Sequence, residues 1–184
     1  MESIINPGTL LISDPFLKDP NFVRTVVLIC DHQDEGSFGF ALNRPQEHVL
    51  GDLIEDLFGN DFPVYYGGPV QTNTLHFIHQ CPQLITGGIE IIKGVYWGGD
   101  FAEVFNLLMN KQIEPHQIRF FIGYSGWGVG QLKEEIQEKS WILSNASKRI
   151  LFRTRPENIW KDALKELDGE YKLMVNYPLD PQFN

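Results

Sequence analysis

A short segment dense in glycine constrains the fold of this chain more than any other feature. Residues 123–130 read GYSGWGVG, after an apolar stretch at 118–122 and before a helix-forming stretch at 131–139. Glycine adopts backbone angles, and allows close approaches of neighbouring backbone, that other residues do not. The order therefore predicts a strand, a glycine loop and then a helix.

Two known motifs are close to this segment, but neither is complete. A nucleophile elbow needs Gly-x-Ser-x-Gly, and Trp127 stands where the last glycine belongs. A dinucleotide fingerprint needs Gly-x-Gly-x-x-Gly, whereas Gly126, Gly128 and Gly130 are spaced two apart. No histidine or acid can be assigned to Ser125 as a partner. We therefore predict no catalytic residue and no cofactor.

Two interpretations of the segment remain. In the first, it is a structural turn in which Trp127 packs into the core and the glycines let the backbone pass a neighbouring strand. In the second, free N–H groups at the helix start bind a phosphate or carboxylate. Glu134 and Glu135 compete for the same helix terminus, which favours the structural turn.

Three further short segments are candidate binding elements. Asn43-Arg44-Pro45 places a guanidinium at a strand exit, where it either contacts an anion or stabilises a turn. Aromatic residues precede glycine pairs at 65–68 and 96–99, and such rings either line a binding slot or cover the core. The candidate ligand-binding residues are Asn43, Arg44, Tyr66, Gly67, Gly68, Ser125, Gly126, Trp127, Gly128 and Gly130.

The histidines and cysteines do not form a recognisable metal site. His76 and His79 lie three apart on a predicted strand, so they point to opposite faces. Cys30 and His32 can share a face, but a buried structural cysteine is favoured over a reactive thiolate. We predict no bound metal.

Composition limits the classes of partner. The 184 residues suit one domain, which we place at 1–184, and the formal charge of −9 argues against direct nucleic-acid binding. The apolar stretches are too short to span a bilayer, and the N-terminal residues do not resemble an export signal. We expect a cytoplasmic protein whose partner is another protein or a small anion. The sequence leaves its oligomeric state open.

Strand-like stretches arrive mostly in hairpin-like pairs, interspersed with helices. This pattern predicts an α+β fold with a largely antiparallel or mixed sheet. Asp100 is a predicted N-cap, with Glu103 completing a capping box. We also predict a hairpin of strands at 23–30 and 38–42, a surface helix at 49–58 whose apolar face includes Phe58, and a helix from Pro156 to about Leu167. Late strands are predicted at 149–152 and 173–175.

Several of these motifs occur together in a fixed order, and the set resembles the AlgH/YqgE family of bacterial proteins. The stretches that carry the likeness are 8–13, 19–28, 39–45, 66–70, 98–100 and 123–132. The resemblance implies a single α+β domain whose sheet branches and curls into a barrel-like shape. It supplies no catalytic residue, and Ser125 stands where many members have alanine.

These observations favour a noncatalytic regulatory or protein-interaction domain. One family member's name refers to the regulation of alginate production, which gives the regulatory expectation. The alternative is a domain that binds a small anion or nucleotide, or an enzyme acting on a phosphorylated or carboxylated metabolite, using the glycine loop together with Arg44.

Overall fold

The computed structural model describes residues 4–179. Ten strands form one connected sheet. They are β1 (Thr9–Ser13), β2 (Val26–Gln33), β3 (Gly36–Ala41), β4 (Pro45–Val49), β5 (Pro63–Tyr66), β6 (Val70–His79), β7 (Ile89–Ile92), β8 (Val95–Trp97), β9 (Ile118–Trp127) and β10 (Trp141–Asn145). The helices are α1 (Leu50–Leu53), α2 (Phe101–Met109), α3 (Gln131–Gln137), α4 (Pro156–Lys165) and α5 (Tyr171–Met174), with a 3-10 turn at Glu55–Leu57 and a π-helical turn at Arg149–Arg153.

Strand β9 is the point at which the sheet branches. The main path runs β10-β1-β2-β3-β9-β6-β8-β7, and each neighbouring pair is antiparallel. β5 pairs with β9 in parallel, and β4 pairs with β5. The first half of β9 therefore holds β5 and β6, while its last three residues pair with β3. The sheet is mixed and largely antiparallel, as predicted.

Glycine is required where backbones meet at this branch. A Cβ on Gly39 would lie 2.0 Å from the carbonyl oxygen of Leu28 on the neighbouring strand. Gly123 has φ +65°, and a Cβ there would lie 2.5 Å from the carbonyl oxygen of Gly68. The predicted loop at 123–130 is therefore wrong over most of its length, because β9 continues to Trp127. The glycines keep the strand in the sheet, and only 128–130 form the turn into α3.

Both faces of the first strands are buried, which explains their continuous apolar runs. Leu10 and Leu28 belong to a core cluster that also contains residues of α4. Leu11 and Val27 are the sequence neighbours of Leu10 and Leu28, and they belong to a different cluster, with Leu132 of α3. A third cluster lies between the β5–β9–β6 part of the sheet and α2. Helices therefore cover the sheet on more than one side.

The predicted start of α2 is confirmed, but not the capping box. The carboxylate of Asp100 accepts a hydrogen bond from the backbone N–H of Ala102 at 2.8 Å. Glu103 does not turn back to the helix start. Its carboxylate accepts from the backbone N–H of Thr86 at 2.7 Å, and so it fastens the preceding loop to the helix.

The predicted surface helix at 49–58 is interrupted. Ile54 has extended backbone angles of φ −126° and ψ 109°, which separate α1 from the 3-10 turn. The N–H of Gly51 donates to the carbonyl of Asn60, so the chain folds back on itself within this stretch. Phe58, which helical spacing assigned to the buried face, is 91% exposed.

The two late strands were predicted wrongly. Arg149–Arg153 is a π-helical turn, and Leu173 lies in the short helix α5. Both stretches are brief apolar runs, and such runs do not distinguish a strand from a buried helical turn by periodicity. Packing decides the outcome: Ile150 and Leu151 are fully buried, and Met174 packs on the same core cluster.

Candidate functional site

Asn43 and Arg44 fasten a neighbouring loop. The side-chain oxygen of Asn43 accepts from the N–H of Val26 at 3.0 Å, and its amide nitrogen donates to the carbonyl of Arg24 at 2.8 Å. Arg44 donates to the hydroxyl of Thr25 at 3.1 Å and to the carbonyl of Pro20 at 3.0 Å. Partial burial lowers the pKa of the Arg44 guanidinium. Much of its donor capacity is therefore used to hold the 20–25 loop.

Gly67, Gly68 and Ser125 meet inside the sheet. The Ser125 hydroxyl is fully buried and donates to the carbonyl of Gly67 at 3.0 Å. A Cβ on Gly68 would lie 2.2 Å from the carbonyl carbon of Tyr124, so the two backbones cross in close contact. Tyr66 is joined to the Arg44 segment through its own N–H, which donates to the Arg44 carbonyl at 2.7 Å. These residues therefore form a close crossing of two backbone segments, and the Ser125 hydroxyl is not exposed as a nucleophile.

Gly128 and Gly130 lead into α3. The N–H of Gly128 donates to the side-chain oxygen of Gln131 at 3.1 Å, and Gly130 has φ +74°. The helix itself extends only from Gln131 to Gln137. The Gln131 side chain thus already accepts from one of the loop N–H groups that the anion interpretation assigned to a ligand.

The sequence-predicted residues converge only in part on a cavity. Gly126 and Trp127 line an open cavity of about 630 Å³, whereas Arg44, Gly67, Gly128 and Gly130 are not among its lining residues. The cavity lies over strands β3, β9, β6 and β8, and the tip of the β2–β3 hairpin forms one wall. Its lining residues are Asp31, Gln33, Glu35, Gly36, Ser37, Phe38, Val70, His76, Trp97, Tyr124, Gly126 and Trp127.

Aromatic rings form the floor of this cavity, which we call the aromatic cavity. Phe38 makes edge contacts with Trp97 at 4.8 Å and with Tyr124 at 5.8 Å between ring centroids. The His76 ring lies 6.0 Å from that of Tyr124. Edge-to-face packing of this kind holds each ring in place through its neighbours. The four rings come from four different strands, so the sheet itself sets their positions.

The charges at the aromatic cavity are negative. Asp31 and Glu35 both belong to its lining, whereas no lysine or arginine does within the described part of the chain. Burial lowers the pKa of His76, so its imidazole is neutral at pH 7. Its Nε2 lies 3.0 Å from the hydroxyl of Thr74. The site thus combines ring faces with carboxylates, an environment that favours a cationic group.

The remaining sequence candidates have structural partners. His79 is fully buried, with Nε2 3.0 Å from the carbonyl of Gly98 and Nδ1 accepting from the N–H of Cys81 at 3.1 Å. Cys30 is buried, and burial raises the pKa of its thiol well above the usual value. His32 lies 2.6 Å from the Ser37 hydroxyl. Across residues 4–179, no group of three or more potential ligands is placed to hold a metal ion.

The sequence indicated part of the aromatic cavity. Trp97 precedes a glycine pair, the format that suggested a binding slot, and Trp127 belongs to the glycine segment. Phe38 and His76 carried no such signal, because their meeting depends on β9 lying between β3 and β6. That strand order arises from pairings between residues far apart in the chain.

No helix within residues 4–179 has the length and apolar character needed to cross a membrane.

Comparisons with known proteins agree with this architecture. A family model described as AlgH-like matches residues 10–172. A UPF0301 protein from Chlorobium limicola is 42% identical over 180 residues, which cover 98% of this chain and 96% of the relative. A crystal structure of a protein from Corynebacterium diphtheriae shares the fold, with a TM-score of 0.77 at 18% identity, covering 96% of this chain and 95% of the other.

The solution structure of the AlgH protein from Pseudomonas aeruginosa is also similar, with a TM-score of 0.74 at 26% identity and 94% of each chain covered. The predicted α+β fold is thereby confirmed, with an antiparallel sheet curled into a half-barrel and several helices. Family model, relatives and fold all agree with the ordered motifs of the sequence, and the chain belongs to the AlgH-like family.

Proposed function

We propose that this protein is a cytoplasmic, noncatalytic regulatory domain that binds a basic segment of a partner protein in the aromatic cavity. One observation carries the proposal. Four aromatic rings pack against one another in a cavity whose lining also includes two carboxylates, with no lysine or arginine among the lining residues that the structure describes. A lysine or arginine side chain fits this combination, because ring faces and carboxylates both attract a positive charge.

The environment of Ser125 supports a noncatalytic role. Its hydroxyl is fully buried and bonded to a backbone carbonyl, so no substrate reaches it in this conformation. The two cysteines, Cys30 and Cys81, are free and buried, as is usual in a reducing compartment. These features agree with regulation through protein contact.

The proposal is tested with short peptides that carry lysine and arginine, compared with versions in which those residues are glutamine. We expect the basic peptides to bind more tightly, and amide signals of Phe38, Trp97 and Tyr124 to shift in NMR titrations. Replacing Trp97 by leucine removes a ring face and is expected to weaken binding about two- to fivefold.

A matched pair of charge variants isolates the cavity. Glu35→Gln removes a carboxylate from the cavity, whereas Asp34→Asn removes one from the adjacent residue, which is not part of the lining. Both change the net charge equally. We expect only Glu35→Gln to weaken binding of the basic peptides. Equal effects of the two variants, or equal binding of basic and neutral peptides, would overturn the proposal.

A further inference from the structure

A second, smaller cavity of about 280 Å³ lies at the other end of β9 and shares no lining residue with the aromatic cavity. It is formed by the start of β9, by β5 and by the segment that joins the π-helical turn to α4. Its lining includes Tyr65, Arg119, Leu151, Arg153 and Arg155. We call it the basic cavity.

Arg119 in the basic cavity is a buried cation. Its side chain is only 6% exposed, and it donates to the carbonyl oxygens of Leu151 at 2.7 Å and Leu42 at 3.0 Å. The guanidinium carbon lies 4.0 Å from the centroid of the Tyr65 ring. Its Nε has no hydrogen-bond partner in the described structure. These contacts are all neutral, so none of them cancels the charge.

A buried charge without a counter-ion is costly, since a low-dielectric interior replaces water poorly. Burial accordingly lowers the pKa of the Arg119 guanidinium. Arginine nevertheless stays protonated in proteins, so the charge remains. An anion bound in the adjoining cavity would supply the missing compensation.

The other lining residues strengthen this inference. Arg153 and Arg155 are exposed at the cavity, and neither side chain forms an ion pair or hydrogen bond with another described residue. Within residues 4–179 no aspartate or glutamate lines the cavity. A chain with a formal charge of −9 thus places three guanidinium groups around one small space. A bound anion would reduce the repulsion among these three positive charges.

We propose that the basic cavity binds the phosphate group of a small molecule, held by Arg119, Arg153 and Arg155. Guanidinium groups present planar pairs of donors that match phosphate oxygens, and three of them suit a dianion better than a single carboxylate. The cavity volume accommodates a phosphate group with a small organic remainder. This site does not depend on the aromatic cavity or on its partner.

The test measures thermal unfolding of the full chain with inorganic phosphate, against sodium chloride at the same ionic strength. A ligand that binds the folded state raises the melting temperature, and the rise follows the logarithm of ligand concentration once that concentration exceeds the dissociation constant. Phosphate also stabilises proteins without binding, through exclusion from their surface. Variants separate the two effects, because exclusion persists when a binding side chain is removed.

Arg153→Gln and Arg155→Gln remove one exposed guanidinium each, and Lys161→Gln is the control, an exposed cation on α4 that is not part of the cavity. We expect each arginine variant to weaken phosphate binding by about tenfold, the loss of one charge-assisted hydrogen bond, and Lys161→Gln to leave it unchanged. NMR signals of the Arg119 guanidinium in the wild-type chain are expected to shift with the same dissociation constant.

Comparing the affinity for inorganic phosphate with that for small phosphate monoesters then identifies the source of the bound phosphate group. Tighter binding of a monoester supports a phosphorylated metabolite. A melting temperature that rises equally in all variants, or an Arg119 signal that does not respond to phosphate, would overturn the proposal. Neither result would bear on the peptide-binding experiments at the aromatic cavity.

Discussion

The indole N–H of Trp127 donates a hydrogen bond of 2.9 Å to the carboxylate of Glu135. The same oxygen accepts from the indole of Trp141 at 2.7 Å, so one acid of α3 ties together the ends of β9 and β10. The two rings lie 6.1 Å apart in an edge contact. Glu135 was expected to compete for the helix start, but it accepts hydrogen bonds from two buried tryptophans instead.

Replacing Glu135 by alanine is expected to lower the free energy of unfolding by about 2–3 kcal/mol, because it leaves two indole N–H groups without an acceptor. Urea denaturation followed by tryptophan fluorescence measures the loss. Glu134→Ala, on the exposed neighbouring residue, should stay within about 0.5 kcal/mol of wild type. Similar losses in both variants would show that the indole contacts contribute little.

A single methyl group at Gly39 is expected to disrupt the sheet. The Cβ of Gly39→Ala would meet the backbone oxygen of Leu28 at 2.0 Å, and backbone within a sheet cannot move aside easily. We expect a loss of at least about 3 kcal/mol, or insoluble protein. Denaturant titration of the purified variant, where it is soluble, gives the value.

Gly128→Ala is the matched control for this change. No atom lies within 4 Å of a Cβ built on Gly128, and its φ is outside the left-handed region. Its stability should remain within about 0.5 kcal/mol of wild type. A small loss of stability in Gly39→Ala would mean that β2 and β3 separate more readily than their close packing indicates.

The sequence was informative wherever local chemistry decides the structure. Asp100 caps α2 and Pro156 begins α4 as predicted, because caps and first turns depend on a few adjacent residues. The β2–β3 hairpin was also predicted, with its partner strands separated by a short polar turn.

Long-range pairing accounts for what the sequence did not show. The glycine segment was predicted as a loop but lies mostly within β9, and the close passage of a neighbouring strand that one interpretation assigned to its glycines takes place inside the sheet, at Gly68. The sequence did not indicate Arg119 as a ligand residue, because an arginine in an apolar strand gives no sign of a cavity beside it. Its neighbours Arg153 and Arg155 come from a distant segment.

Ser125→Ala is expected to have a small effect, a loss of about 1 kcal/mol or less. The hydroxyl is buried and donates to the Gly67 carbonyl, but that carbonyl also accepts from the N–H of Ala41 at 2.8 Å. The change therefore leaves no acceptor without a partner. Chemical denaturation measures stability, and binding of basic peptides should be unchanged. Loss of peptide binding in a stable Ser125→Ala variant would contradict a purely structural role.

Stability is expected to fall as the pH is lowered through the titration of His79. Burial lowers the pKa of His79 below its ordinary value of 6.5, and an added proton on Nδ1 would face the N–H of Cys81. Below about pH 6.5 the unfolded chain therefore binds a proton that the folded chain does not. The stabilisation that neutral His79 gives the folded state is therefore complete above that pH and is lost progressively below it.

The loss of stability from His79 develops as the pH falls from about 7.5 to about 5.5, across the ordinary pKa of histidine. Urea unfolding at several pH values measures it, and NMR titration of the imidazole carbon gives the pKa directly. His79→Gln should flatten the pH dependence. A His79 that titrates above pH 6.5 would show that the hydrogen bond to the Gly98 carbonyl, which favours protonation, outweighs burial.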